Sequence, residues 1–257
     1  MTNTQNTNTA PLQDCTDSEF CARLQAVFLQ NGLSALLTEK RTDMLLMLAR
    51  RLVSENKKYN LTAITDTDAV ILRHLADSLS VARLIPEGAS VLDVGTGAGF
   101  PSLPLAVCRP DLSVTAMDAT AKKVRYITET AALLGLTNYR GVAGRAEELC
   151  CPPMRQSFDV VVARAVSELS ILSELCLPYC KKGGCFLAMK GTLAETEAEK
   201  ARPALAVLGG GQPLSVSLPL HSDKEELLHA VICIKKEGDS PAEYPRPYAK
   251  ILKAPLS

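Results

Sequence analysis

The sequence carries no excess of charge of either sign: 28 Lys and Arg balance 28 Asp and Glu over 257 residues. No overall positive field draws a polyanion, so any nucleic-acid site has to be a local basic patch. Long apolar runs are missing too. Every hydrophobic segment is broken by charge or Pro before the roughly 18–20 residues that span a bilayer, and no membrane segment is expected. The opening MTNTQNTNTAPLQD lacks the basic start and apolar run of an export signal. Residues 1–16 read as a disordered tail, and the chain as a cytoplasmic monomer. Nine cysteines are present, but the count is odd and no Cys-x-x-Cys pair occurs, which argues against a disulfide framework or a zinc ribbon. Cys176, Cys180 and Cys185 lie close in sequence, yet His221 and His229 are distant and unpatterned as further ligands, so no metal is expected. No internal repeat is visible.

What is present suits one large core, with 47% hydrophobic and 22% charged residues. Three helical patterns come first, over Ser18 to Gln30, Ser34 to Glu55 and Asp66 to Leu84, with apolar residues recurring at three and four. They make an N-terminal helical cap over residues 17–88, either a lid or platform for substrate or a layer packed on the rest of the chain. From Ser90 onward short apolar runs alternate with helical stretches, as a parallel sheet with crossover helices requires. The predicted strands are Val91 to Val94, Ser113 to Met117, Tyr139 to Val142, Phe158 to Ala163 and Cys185 to Met189. Two more, Pro213 to Ser217 and His229 to Ile234, have no crossover helix between them and should pair antiparallel. Five parallel strands closed by an antiparallel hairpin is the plan of class I S-adenosylmethionine-dependent methyltransferases, a Rossmann-like doubly wound α/β fold, here over residues 89–257.

The strongest local signal is VLDVGTGAGF, an apolar strand running into Gly95-Thr96-Gly97-Ala98-Gly99 and then a helix. Glycine lets the chain turn sharply and a ligand approach the backbone, while the helix start offers free N–H groups. Such a turn is shared by NAD, FAD and S-adenosylmethionine sites. The dinucleotide fingerprint wants Gly at position 100, where Phe100 stands, so dehydrogenase chemistry is disfavoured. Asp93 is placed to orient turn amides or meet a ligand amino group. Asp118, ending the next strand, either accepts from ribose hydroxyls or caps the following helix. Ala146 and Glu147, after the third strand, are the expected adenine neighbours, with solvated first-turn acids as the alternative for Glu147.

Arg164 emerges at the carboxyl edge of the fourth strand, where open α/β proteins bind ligands; it either grips cofactor, phosphate or base, or makes a structural ion pair. No Asn/Asp-Pro-Pro-aromatic motif and no Pro-Cys nucleophile accompany it, since Cys150 and Cys151 precede Pro152 and Pro153. A guanine N7 fits this gap, because it presents a lone pair and needs no base, only positioning.

Together, NLTAITD, RHLADSL, VLDVGTGAGFPSLPLA, VVARAVSEL and FLAMKG resemble the bacterial 16S ribosomal RNA guanine-N7 methyltransferases called RsmG, or glucose-inhibited division protein B. The resemblance runs from about Asn56 to the C-terminus. It implies methylation of a guanine N7 near the decoding region, with S-adenosyl-L-methionine as cofactor and 16S ribosomal RNA or the small subunit as partner. It also implies Gly95, Phe100, Ala146, Glu147 and Arg164 at the cofactor, which together with Gly97 and Asp118 form the expected cofactor set. His229 stands where this family leads us to expect a basic residue. The RNA-facing candidates are Arg145, Lys190 and Arg246 first, then Lys57, Lys58, Arg73, His74, Lys235, Lys236, Lys250 and Lys253. A methyltransferase of a small molecule or protein, and a non-catalytic sensor of S-adenosylmethionine, remain the rival readings.

Overall fold

The computed structural model describes residues 11–164, 167–191 and 194–256. Residues 1–10 of the expected tail lie outside these. Residues 11–16, by contrast, are packed: Pro11 bridges Asp66, Leu12 is fully buried, and Thr16 caps the first helix. That helix, α1 (Asp17–Gln30), opens with a capping box, Thr16 accepting from Glu19 N while Glu19 accepts from Thr16 N. A short 3-10 turn, Ser34–Leu36, precedes α2 (Glu39–Tyr59), so the second expected helix starts later and runs further than its apolar pattern suggests. Thr38 is the reason for the late start, since its hydroxyl accepts from Arg41 N as an N-cap.

The third expected helix is not one α-helix. It is α3 (Thr67–Val70), a π-helical turn Ile71–Ala76 and α4 (Asp77–Ser80), followed by a 3-10 turn, Ala82–Leu84. The RHLADSL motif starts in the π-turn and runs on into α4. Single π-turns of this kind often stand at functional sites.

The rest alternates strand and helix: β1 (Ser90–Val94), α5 (Ser102–Cys108), β2 (Ser113–Asp118), α6 (Ala121–Leu133), β3 (Tyr139–Ala143), α7 (Ala146–Leu149), β4 (Phe158–Arg164), α8 (Leu169–Cys176) and β5 (Cys180–Lys190). Then come α9 (Ala194–Val207), β6 (Leu214–Ser217), a small hairpin of β7 (Leu220–His221) and β8 (Glu226–Leu227), β9 (Ala230–Lys235) and α10 (Tyr248–Lys253). The main sheet has the order β3-β2-β1-β4-β5-β9-β6, with the first five strands parallel and β9 antiparallel to both β5 and β6. This is the class I methyltransferase plan. The closing pair forms as expected, although the β7–β8 hairpin is inserted between its strands.

Side chains alternate along β1 and send Val91 to one face and Leu92 to the other, each fully buried. Val91 joins the core cluster that also holds Leu24, Leu48 and Leu75 of the cap, so cap and sheet share a continuous apolar layer. Of the two roles open to the cap, packing on the sheet is therefore occupied. Leu92 joins the opposite cluster with Leu172, Phe186 and Ile251. Among the described residues no helix is long and apolar enough to cross a membrane.

Candidate cofactor cleft and reaction edge

The turn after β1 is pinned to the neighbouring strand: the amides of Gly95 and Thr96 both donate to Met117 O, at 2.9 and 3.0 Å. Gly95, Gly97 and Gly99 have φ of 76, 59 and 92°. A Cβ added to Gly99 would stand 2.4 Å from Leu103 Cδ1, so both conformation and space call for glycine there. Asp118 closes the turn from β2, accepting from Gly97 N at 3.0 Å and Thr120 N at 2.8 Å. The residue in the capping position of α6 is Thr120. Each Asp118 oxygen keeps acceptor capacity for a further donor.

Beside this turn, over the ends of β2 and β3, lies a cleft of about 270 Å³. Gly95, Asp118, Arg145, Ala146 and Glu147 line it together, with Val94, Met117, Leu175 and Tyr248 as apolar walls. A larger hollow of about 420 Å³ sits elsewhere, between the cap and the β6–β7 link, and contains none of these residues. Gly97, Phe100 and Arg164 are not among the cleft walls. Phe100 is buried and stacks on His74 of the π-turn, centroids 4.6 Å apart, while the Arg164 guanidinium lies over its ring at 5.4 Å. The strand order explains the split, because β1 separates the Asp118 side from the β4 edge that carries Arg164.

A second cluster gathers at that edge. Arg164 donates to Asp77 Oδ2 at 2.9 Å and to Arg73 O at 3.1 Å. Asp77 meets His229 Nδ1 at 3.0 Å through its other oxygen, and His229 Nε2 lies 3.2 Å from Ser80 Oγ. His74 Nε2 lies 2.9 Å from Thr62 Oγ1. Burial and the adjacent Arg164 cation push His74 down to about 3, and burial lowers His229 as well despite Asp77. Asp93 is fully buried beneath the turn. Its Oδ2 accepts from Ser102 N at 3.2 Å, its Oδ1 has no partner, and burial raises it to about 6.

These residues fit a nucleoside with a polar tail. Apolar walls suit a planar base, Asp118 suits ribose hydroxyls, and the orphaned Asp93 oxygen beneath the turn can accept from a ligand amino group directly or through water.

The family model for GidB, rRNA small subunit methyltransferase G, matches residues 41–226. The chain belongs to this family. Among curated members, "Ribosomal RNA small subunit methyltransferase G" of Pelotomaculum thermopropionicum is 40% identical over 225 residues, covering 86% of this chain and 92% of that one. The protein of the same name from Lachnoclostridium phytofermentans is 44% identical over 210 residues, covering 80% and 85%. Solved structures share the fold: cofactor-bound Rv0187 from MTB gives a TM-score of 0.53 at 18% identity, over 75% of this chain and 90% of that one.

Not every basic residue expected to face RNA is placed to do so in this GidB-family chain. Lys190 is buried, pairs with Glu197 at 2.6 Å and donates to Ser167 O. Arg246 forks onto Glu174, whose carboxylate is fully buried, at 2.8 and 2.7 Å. Lys236 is buried and donates to Leu208 O and Ser240 Oγ. The Lys190 and Lys236 expectations are corrected, since both charges are buried against internal partners, and the partly exposed Arg246 guanidinium is taken up by Glu174. Arg145 does stand at the cleft, 3.9 Å from Glu147, and Arg73 pairs with Glu225. Exposed lysines gather instead where α2 ends against the start of α6: Lys57, Lys58 and Lys122, with the Lys58 and Lys122 ammonium groups over the Tyr59 ring at 4.9 and 5.1 Å.

The sequence reading missed Tyr248, Leu175 and Asp77. The first two come from helices with no motif. Asp77 lay within RHLADSL, and its invisible feature was a partner 152 positions later, His229.

Two separate buried groups, Asp93 and His74, set a pH test. Asp93 is held above its ordinary 3.8, so its contribution to stability is full below that value and is lost as pH rises through about 6. His74 is held below its ordinary 6.5, so its contribution is full above that value and is lost as pH falls toward about 3. The two oppose each other between about pH 4 and 6. Thermal denaturation across this window should therefore fall more steeply with acid in Asp93→Asn than in the wild type. His74→Asn should change in the opposite sense. Identical profiles for all three proteins would contradict the assignment.

Proposed function

We propose that this chain transfers a methyl group from S-adenosylmethionine to N7 of a guanine in 16S ribosomal RNA near the decoding region, acting in the cytoplasm. The supporting observation is the Gly95–Gly99 turn, set between a nucleoside-sized cleft ending in Asp118 and the Arg164 cluster on the β4 edge. When bound, S-adenosylmethionine supplies an electrophilic methyl on a sulfonium. Asp118 holds ribose, the walls around Ala146 hold adenine, and Asp93 beneath the turn receives the amino end of the methionine portion. Arg164 faces the substrate side, where its guanidinium orients the base or a neighbouring phosphate.

N7 suits the chemistry available here. The histidines nearest Arg164 are poor bases, since His74 is held near 3 and His229 is lowered, and Asp77 is engaged by Arg164 and His229. A nitrogen lone pair that carries no proton needs none of them as a base. Alignment with the methyl is the remaining task, and positioning of this kind supplies roughly 7–11 kcal/mol. RNA phosphates meet Lys57, Lys58 and Lys122 beside the cleft, with Arg145 at its rim.

Labelled methyl is expected to enter small subunits or their ribosomal RNA from a strain lacking the modification, with strand cleavage at N7-methylguanine mapping one site. Label confined to a metabolite or protein would favour the rival substrates, and cofactor binding without transfer would favour the sensor.

A further inference from the structure

The C-terminal segment is fastened across the outer face of α8 by two arginines. Arg155 donates to Tyr244 O at 2.6 Å, Ser240 O at 2.8 Å and Pro241 O at 3.0 Å. Arg246 takes the buried Glu174 with both its fork and its own backbone N–H, the latter at 2.9 Å, and also reaches Ala254 O at 3.1 Å. Glu174 adjoins Leu175 in α8, and Leu175 is a wall of the nucleoside cleft. One helix thus anchors the segment and lines the site.

The segment returns the contact through α10. Tyr248 is its first residue, is half-buried against the same core cluster as Leu149 and Met154, and lines the cleft with Met117 and Ala146. An aromatic ring fixed at both ends of its segment suits the face of a planar base, for which aliphatic walls supply only dispersion.

We propose that α10 is a functional wall of this cleft, with Tyr248 packing on the adenine of the cofactor and Arg246–Glu174 positioning it. This rests on the reading in which the cleft takes S-adenosylmethionine. The phenol oxygen has no part in it, so Phe substitutes for Tyr and Ala does not.

Calorimetry with S-adenosylhomocysteine on the full chain tests this. Tyr248→Ala should bind about tenfold more weakly, the size expected for losing one base–aromatic contact. Tyr248→Phe should keep wild-type affinity. The chain has no Trp, so Tyr248→Trp places a single indole at the wall, and its fluorescence should change saturably as S-adenosylhomocysteine is added. Wild-type heat together with an unchanged Tyr248→Ala affinity, or with a silent indole in a variant that binds, would overturn the proposal alone. Absence of heat from folded wild-type protein would remove the cofactor reading and this proposal with it.

Discussion

Arg164→Ala is expected to lower methyl transfer by about 10²–10³-fold, the loss typical when one preorganised donor at a reaction centre is removed. The same variant should also melt earlier. Asp77 would keep His229 but lose the guanidinium, and losing a hydrogen bond to a charged group costs about 1.5–3 kcal/mol. Structural and functional roles coincide in this side chain, so a single variant does not separate them. Arg164→Lys does: its ammonium keeps the charge but lacks the planar fork that meets Asp77 and Arg73 O together. Most of the stability should return while turnover stays low. Asp77→Asn should show the converse pattern, an intact guanidinium with a weaker hold and a smaller loss of turnover. Single-turnover methylation on matched fractions of folded protein is the measurement, and full turnover in Arg164→Ala would reduce Arg164 to a structural ion pair.

The parts of this site readable in the sequence are those enforced by local backbone physics. Gly99 has to be glycine because its φ is 92° and Leu103 fills the space of a Cβ, and that requirement is written within five residues. Asp118 follows from strand length, since the end of β2 must lie beside the end of β1 in a parallel pair. What stayed hidden is pairing between separate elements. A lysine or arginine looks the same in sequence whether it meets solvent or a buried acid. Arg246 was therefore read as a phosphate contact although Glu174 lies 72 positions earlier, and Lys190 likewise although its partner Glu197 sits one helix later. The π-turn was hidden for another reason. Its apolar residues Ile71, Leu72, Leu75 and Ala76 keep a helical spacing, so the pattern reports helix while the widened hydrogen bonding leaves no mark in it.

Arg246→Ala should cost about 3–5 kcal/mol of stability, because it takes the guanidinium away from a fully buried Glu174 carboxylate and leaves that carboxylate with the backbone N–H of position 246. For a chain of this size that is a fall in melting temperature on the order of 10 °C. A phosphate-contacting arginine behaves differently: its removal leaves the melt in place and lessens the salt dependence of RNA binding. The two outcomes are opposite, and one melting curve with one salt titration distinguishes them. The double change Arg246→Met with Glu174→Leu should recover much of the loss, since an apolar pair of similar volume replaces a buried ion pair at little cost. Recovery of the melt need not bring recovery of cofactor affinity. The Arg246 backbone N–H also donates to Glu174, and that hydrogen bond disappears with the carboxylate, leaving Tyr248 less firmly placed. A double variant that melts like the wild type yet binds S-adenosylhomocysteine more weakly would show that the ion pair serves the position of the cleft wall more than the stability of the fold.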